Sequence, residues 1–332
     1  MRETLPDIGS FVALGDSFTE GLGDPYPDGP GLLGYRGWAD RFAERVAVKR
    51  PGLRYANLAV RGKLVREVVA DQVPVAVTMA PDLVSIAAGG NDMLRPRTDP
   101  DALAEEFGAA VADLRAAGSA VLVFTGFDPR TFPLVRLIRG KVAAYNMHLR
   151  AIADRYDCYL VDLWSMRVLD DTREWVPDRL HLSADGHRRV ALRACEVMGV
   201  DVDEDWREPL PPRPSAEALL AKAVARSRPA VLSQTSGWLA ARRLDARWAR
   251  DYAVPWVSRR LRGISSGDGI PPKRPQMVPL NAGGLIGRPE GATGAASFRE
   301  ARASLPPLRN SGRRGRQAPG GCRRLTAPGP AW

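Results

Sequence analysis

Phe11-Val12-Ala13-Leu14-Gly15-Asp16-Ser17-Phe18-Thr19-Glu20-Gly21 is the stretch on which the reading of this chain turns. Its four leading apolar residues have the length of a buried strand, and Gly15-Asp16-Ser17 ends the run with turn formers. A serine placed where a strand turns into a helix holds its hydroxyl out at the end of the sheet. The helix behind it supplies free N–H groups and a positive dipole end, and both favour an oxyanion. Position 19 is Thr, so this is not the G-x-S-x-G elbow. Taken alone, Gly15-Asp16-Ser17 fits a capping serine as well as a nucleophile.

Working outward, the alternation continues. Trp38, Phe42, Val46 and Val48 have helical spacing within residues 35–49, and Arg54 to Leu58 reads as a second strand. Residues 62–79 read as a helix that Pro74 kinks or divides. Leu83 to Ala87 is a third strand, ending in Gly89-Gly90-Asn91-Asp92. A helix over 101–117, capped near Asp99 and stopped by Gly118, leads to a strand over Ala120 to Phe124. Residues 138–155 read as helix, Cys158 to Val161 as a fifth strand, and Ala184 to Met198 as a last helix with Ser183 as N-cap. This βα rhythm predicts a parallel sheet covered on both faces, with ligands at the carboxyl ends of the strands. Two polar motifs, after the first and third strands, fall at those ends.

Asp178-Arg179-Leu180-His181 stands in a loop before the last helix. An Asp three residues before a His can reach the Nδ1–H, orient the ring and stabilise its cation, leaving Nε2 to take a serine proton. Of the other two histidines, His148 lies in a helical run and His187 in the first turn of the last helix, and both read as packing or solvent-facing residues. Oxyanion donors are expected from the Gly62 N–H, in Asn57-Leu58-Ala59-Val60-Arg61-Gly62, from the Asn91 side chain and from the Ser17 N–H. Singly, Gly62 reads equally as a turn glycine and Asn91 as an Asx turn. Asp16 is expected to be structural and Asp92 to orient the Asn91 loop. Residues 20–37, 93–99 and 126–137 are the expected pocket walls, with Asp24, Tyr26, Tyr35, Arg95 and Arg97 as candidate substrate contacts.

These blocks, in this order, resemble the GDSL or SGNH hydrolase family: the Ser of GDS, a Gly after the second strand, the Asn of GxND and the His of DxxH match Ser17, Gly62, Asn91 and His181, with Asp178 as the acid. Phe18 stands where the family name has Leu, at a packing position. The resemblance spans about residues 9–200. It is closest to a bacterial subgroup of GDSL-like lipases or acylhydrolases that also carries a late segment like Ser265-Ser266-Gly267-Asp268-Gly269 followed by Lys273-Arg274-Pro275. The resemblance implies a flavodoxin-like three-layer α/β/α sandwich with a five-stranded parallel sheet. It implies a serine ester hydrolase working through a covalent acyl-Ser17 intermediate on small-molecule or lipid esters, with no metal and no cofactor. Because a backbone carbonyl orients the His in some members, Asp178 is expected to matter less than His181. An acyltransferase on the same residues and a non-catalytic flavodoxin-like module binding at Gly15 to Thr19 are the alternatives.

Composition is compatible with this. The chain has 332 residues, 45% hydrophobic and 26% charged, enough for one hydrolase domain with additions. It has no apolar run long enough for a transmembrane helix, and Met1 to Ser10 lacks the apolar segment of a signal peptide. Three distant cysteines, Cys158, Cys195 and Cys322, form neither a disulfide framework nor a zinc motif, so a reducing, cytoplasmic setting is expected. Net charge is +10, but residues 281–332 hold nine Arg and two Glu, a net of +7, leaving +3 for residues 1–280. Residues 1–200 are expected to be the hydrolase domain and 201–214 an acidic, proline-rich linker. Residues 215–263 read as amphipathic helices that pack on the domain or serve as a lid or peripheral membrane contact. Residues 264–332 are expected to be a mostly disordered basic tail. No recognised nucleic-acid module is present, so no specific nucleic-acid partner is expected.

Overall fold

The computed structural model describes residues 7–26, 34–132, 135–212, 250 and 265–280. Its strands are β1 (Ser10–Gly15), β2 (Arg54–Asn57), β3 (Leu83–Ala87), β4 (Ala120–Phe124), β5 (Tyr159–Val161) and β6 (Arg274–Pro279). Its helices are α1 (Ser17–Glu20), α2 (Gly37–Lys49), α3 (Val65–Asp71), α4 (Val73–Met79), α5 (Gly90–Met93), α6 (Pro100–Ala116), α7 (Arg139–Arg155) and α8 (Ala184–Met198). The sheet order is β5-β4-β3-β1-β2-β6. The first five strands are parallel and β6 runs antiparallel to β2. The order reverses between β1 and β3, which opens a crevice beyond their carboxyl ends.

Both faces of the central sheet are buried, which is why β1, β3 and β4 are mainly apolar runs. Phe11 and Ala13 of β1 join one core with Trp38, Phe42 and Val46 of α2 and Val190, Ala194 and Met198 of α8. Val12 and Leu14 join the other with Val68 of α3, Phe107 and Leu114 of α6 and Leu149 of α7. The alternation within β1 follows the two-residue period of a strand. The predicted helix over 62–79 is divided at Gln72, with Pro74 in the first turn of α4, where its missing N–H leaves no bond unmade. The break turns the buried Gln72 amide onto the end of β1: Gly15 N–H donates to Oε1 at 2.8 Å and Nε2 donates to Gly15 O at 2.9 Å.

Residues 265–280, within the stretch expected to be a mostly disordered tail, include β6, which adds a sixth, antiparallel strand to the five parallel ones. Pro275 and Pro279 hide the strand from a sequence reading, but an edge strand tolerates proline. The strand is anchored by charge. Lys273 Nζ lies 2.9 Å from Asp40 Oδ1, in the first turn of α2, and donates to Tyr35 O and Arg36 O at 2.8 Å. Arg274 Nη2 lies 3.4 Å from Asp40 Oδ2 and donates to the Tyr26 hydroxyl, while the Tyr55 hydroxyl donates to Asp40 Oδ1 at 2.7 Å. Asp40 is fully buried; burial opposes its ionisation, yet the two cations hold its carboxyl below the usual range.

Within the stretch read as a linker, the carbonyls of Trp206 and Glu208 accept from Arg189 of α8. The helices expected over 215–263 and the tail beyond 280 lie outside the described residues, apart from residue 250. Among the described residues no helix is long and apolar enough to cross a membrane.

Candidate active site

Ser17 is the first residue of α1, directly over the end of β1. The turn leaves no room for a side chain at Gly15. Gly15 has φ of 146°, and a Cβ there would lie 2.4 Å from Ala87 O. The Asp16 carboxylate caps α1 by accepting from Phe18 N–H at 3.0 Å. Phe18, in the position of the family's Leu, packs against the rings of Trp38 and Phe124.

His181 is delivered by a closed loop. Trp175 and Leu182 form an antiparallel bridge, and Val176 N–H donates to His181 O at 3.0 Å. Inside the loop Asp178 Oδ1 accepts from the N–H groups of Leu180 and His181 at 2.8 and 3.0 Å, around Arg179 with φ of 56°. The other oxygen, Oδ2, lies 2.6 Å from His181 Nδ1, and His181 Nε2 lies 3.0 Å from Ser17 Oγ. Burial works against ionisation of Asp178, but its hydrogen bond from His181 prevails and holds the carboxyl below the ordinary value. The structure therefore brings Ser17, His181 and Asp178 into one hydrogen-bonded line.

Gly62 follows β2 with φ of 76°, a left-handed conformation that favours glycine. The adjoining Arg61 N–H donates to Glu20 at 2.6 Å, which fixes the loop beside α1. Asn91, on α5, reaches the same place, but its Nδ2 already donates to Asp16 Oδ2 and to Lys63 O, both at 3.0 Å. Asp16 is thus more than a turn residue. It is buried between α1 and Asn91, and desolvation pushes its pKa up to about 6. Asp92 receives Val65 N–H at 3.1 Å and so ties α5 to α3.

The other histidines are accounted for. His187 is buried: its Nδ1 accepts from Trp38 N–H, its Nε2 faces Leu22 O at 3.0 Å, and burial lowers its pKa to about 4. His148 meets Asp101 on the surface. Among the described residues no group of His, Cys, Asp and Glu could hold a metal ion.

A cavity of about 430 Å³ opens on Ser17, His181, Gly62 and Asn91. The expected wall segments contribute Leu22, Met93, Leu94, Phe127 and Val135. Asp24, Tyr26, Tyr35, Arg95 and Arg97 do not line it. Asp24 instead binds the Arg41 guanidinium at 2.6 and 2.9 Å, a structural pair. Much of the wall comes from residues that a sequence reading assigns to the core: Val142, Tyr145 and Leu149 of α7, with Leu163, Leu169 and Trp175. The helical spacing of the α7 trio was the only signal, and it is shared with any buried stripe. The polar rim includes Ser265 and Ser266, more than 200 residues beyond Gly62 in the chain.

Comparison with known proteins identifies the family and similar folds. Residues 13–189, more than half of the chain, match the GDSL-like Lipase/Acylhydrolase family. No curated protein matches the chain by sequence. Similar solved structures include LAE5, an alpha/beta hydrolase enzyme from the metagenome of Lake Arreo, Spain. It is 19% identical with a TM-score of 0.50, over 61% of this chain and 100% of that one. A variant of Axe2, an acetyl-xylooligosaccharide esterase from Geobacillus stearothermophilus, is 20% identical with a TM-score of 0.50, over 62% of this chain and 100% of that one. These likenesses speak to the fold, whereas the family match rests on the sequence itself. The chain belongs to the GDSL-like lipase/acylhydrolase family, and its class of activity is ester hydrolysis.

Proposed function

We propose that this protein hydrolyses carboxylic esters through a covalent acyl-Ser17 intermediate, with His181 as general base and acid and Asp178 as its orienting partner. The observation that carries the reading is the line Asp178 Oδ2–His181–Ser17 Oγ, with spacings of 2.6 and 3.0 Å. Ser17 Oγ attacks the ester carbonyl carbon while its proton passes to His181 Nε2, and the carbonyl π pair moves onto oxygen. Asp178, ionised, stabilises the imidazolium. The oxyanion is met by the N–H groups of Ser17 and Gly62. Asn91 joins them by exchanging one of its two existing bonds for the oxyanion. When the carbonyl re-forms, the C–O bond to the alcohol breaks and the leaving oxygen takes the proton from His181. Water, deprotonated by the same nitrogen, then releases the acid and restores Ser17.

The cavity supports a hydrocarbon acyl chain. Its volume of about 430 Å³ lies within the ~300–1,000 Å³ of small-molecule pockets, and its inner wall is apolar. A short acyl group such as acetyl would leave most of that wall uncovered. Cys158 and Cys195 are unpaired thiols, which supports a reducing, cytoplasmic setting.

The test is turnover of p-nitrophenyl esters from acetate to palmitate by wild type, Ser17→Ala and His181→Ala, with product analysis to separate hydrolysis from transfer to an added alcohol. Activity that peaks above acetate and is lost in both variants is expected. Absence of turnover together with no labelling of Ser17 by a fluorophosphonate would overturn the proposal.

A further inference from the structure

The ordered segment 265–280 lies beyond the residues matched by the family, yet it returns to the mouth of the cavity. Its first residues form a closed turn: Ser265 N–H donates to Asp268 Oδ2 at 2.8 Å and Gly267 N–H donates to Ser265 Oγ at 3.3 Å. The turn is pressed against the Arg61–Gly62 backbone. A Cβ on Gly267 would lie 2.1 Å from Arg61 O, and a Cβ on Gly62 would lie 2.4 Å from Ser265 Oγ and 2.9 Å from Ser266 Oγ. β6 and the Lys273–Asp40–Arg274 cluster hold the segment there, so its position follows from built contacts.

The polar groups of this rim differ in availability. The Arg61 guanidinium is taken up by Glu20 and lies 5.4 Å from the centre of the Tyr35 ring. Ser265 Oγ already accepts from Gly267. Ser266 is exposed, and among the described residues its side chain has no hydrogen-bond partner. Sheet order adds a direction. The apolar wall lies over β4 and β5 and against α7, Ser17 follows β1, Gly62 follows β2, and Ser266 precedes β6 on the far edge. An ester with its carbonyl at Ser17 therefore has one arm toward hydrocarbon and the other toward Ser266.

We propose that Ser266 is a specificity-determining residue that hydrogen-bonds the alcohol arm of the ester, and that this arm is a hydroxylated alcohol such as a polyol. The inference rests on the reading of Ser17 as nucleophile and of the Gly62 loop as part of the oxyanion hole. It assigns the late segment a place in substrate recognition that the family-matched residues do not contain.

The test compares two esters of one acid, 1-monooctanoylglycerol and propyl octanoate, which differ in two hydroxyl groups. In the full-length Ser266→Ala variant the ratio of kcat/KM for the glycerol ester to that for the propyl ester falls about fivefold, the loss of one net hydrogen bond. Ser266→Thr, which keeps the hydroxyl, restores the ratio. An unchanged ratio in Ser266→Ala, or a ratio that Thr fails to restore, overturns the assignment. Fluorophosphonate labelling of wild-type Ser17 keeps the two readings apart. If Ser17 is labelled and both esters turn over, the ratio judges Ser266 alone; if it is neither labelled nor active, the nucleophile reading fails and this inference falls with it.

Discussion

Asp16 should make the protein less stable as the pH rises, by an amount the structure allows one to work out. Its side chain is buried beside the nucleophile, and desolvation raises its pKa from 3.8 to about 6. Well below pH 3.8 the carboxyl is protonated in both folded and unfolded chains and has no effect. Between 3.8 and about 6 the unfolded chain ionises first, so the folded state binds more protons and stability falls with increasing pH. Above about 6 the loss is complete. A gap of about two pH units corresponds to about 3 kcal/mol at 1.36 kcal/mol per unit. Urea unfolding of wild type and Asp16→Asn between pH 4 and pH 8 isolates this contribution, because every other carboxylate is common to both proteins. The stability of the Asn variant relative to wild type should grow by about 2.5 kcal/mol across that range, since part of the loss has already occurred by pH 4. A difference that stays constant, or shrinks with pH, would refute the reasoning. The charge is retained at a site where it accepts from Phe18 N–H and from the Asn91 amide. The site therefore sacrifices stability for local order at the nucleophile, a common exchange in enzymes.

Three further outcomes follow from the same contacts. Asp178→Asn keeps an oxygen for the loop N–H groups but loses the carboxylate facing His181 Nδ1. Its kcat should drop by up to roughly 10⁴-fold while remaining above that of Ser17→Ala, and equal loss in the two variants would contradict the subordinate role of Asp178. Lys273→Met leaves Asp40 with Arg274 as its remaining cation and should destabilise by about 3 kcal/mol, seen as a melting temperature roughly 6–12 °C lower; an unshifted melting curve would mean that the strand is held some other way. Gly62→Ala places a methyl group against Ser265 in a left-handed backbone and should lower kcat roughly 100-fold on every ester, whereas an effect confined to KM would remove Gly62 from the oxyanion hole.

The features legible in the sequence are those specified locally. β1, β3 and β4 announce themselves because a strand buried on both faces must be apolar throughout, and α6 and α8 because caps and hydrophobic period agree. The Asp178–His181 pair is legible for a similar reason: the two stand three positions apart, and a single turn around Arg179 suffices to join their side chains. Ser17 could be placed at a strand end from Gly15 and Asp16 alone. By contrast, the sequence windows expected to form the pocket missed α7, since an apolar stripe that faces a cavity has the same spacing as one that faces the core.

What the chain's own order of residues determined was the alternation of strand and helix and the motifs at strand ends, because helix period, turn preference and capping act over a few neighbouring positions. The tertiary structure alone decided that Asn91 spends its amide on Asp16 and Lys63, that the sheet gains β6, and that Ser265 and Ser266 border Gly62. Those contacts join residues tens to hundreds of positions apart. They depend on which buried charge finds a partner, as Asp40 finds Lys273, and that is settled only when folding removes both from water.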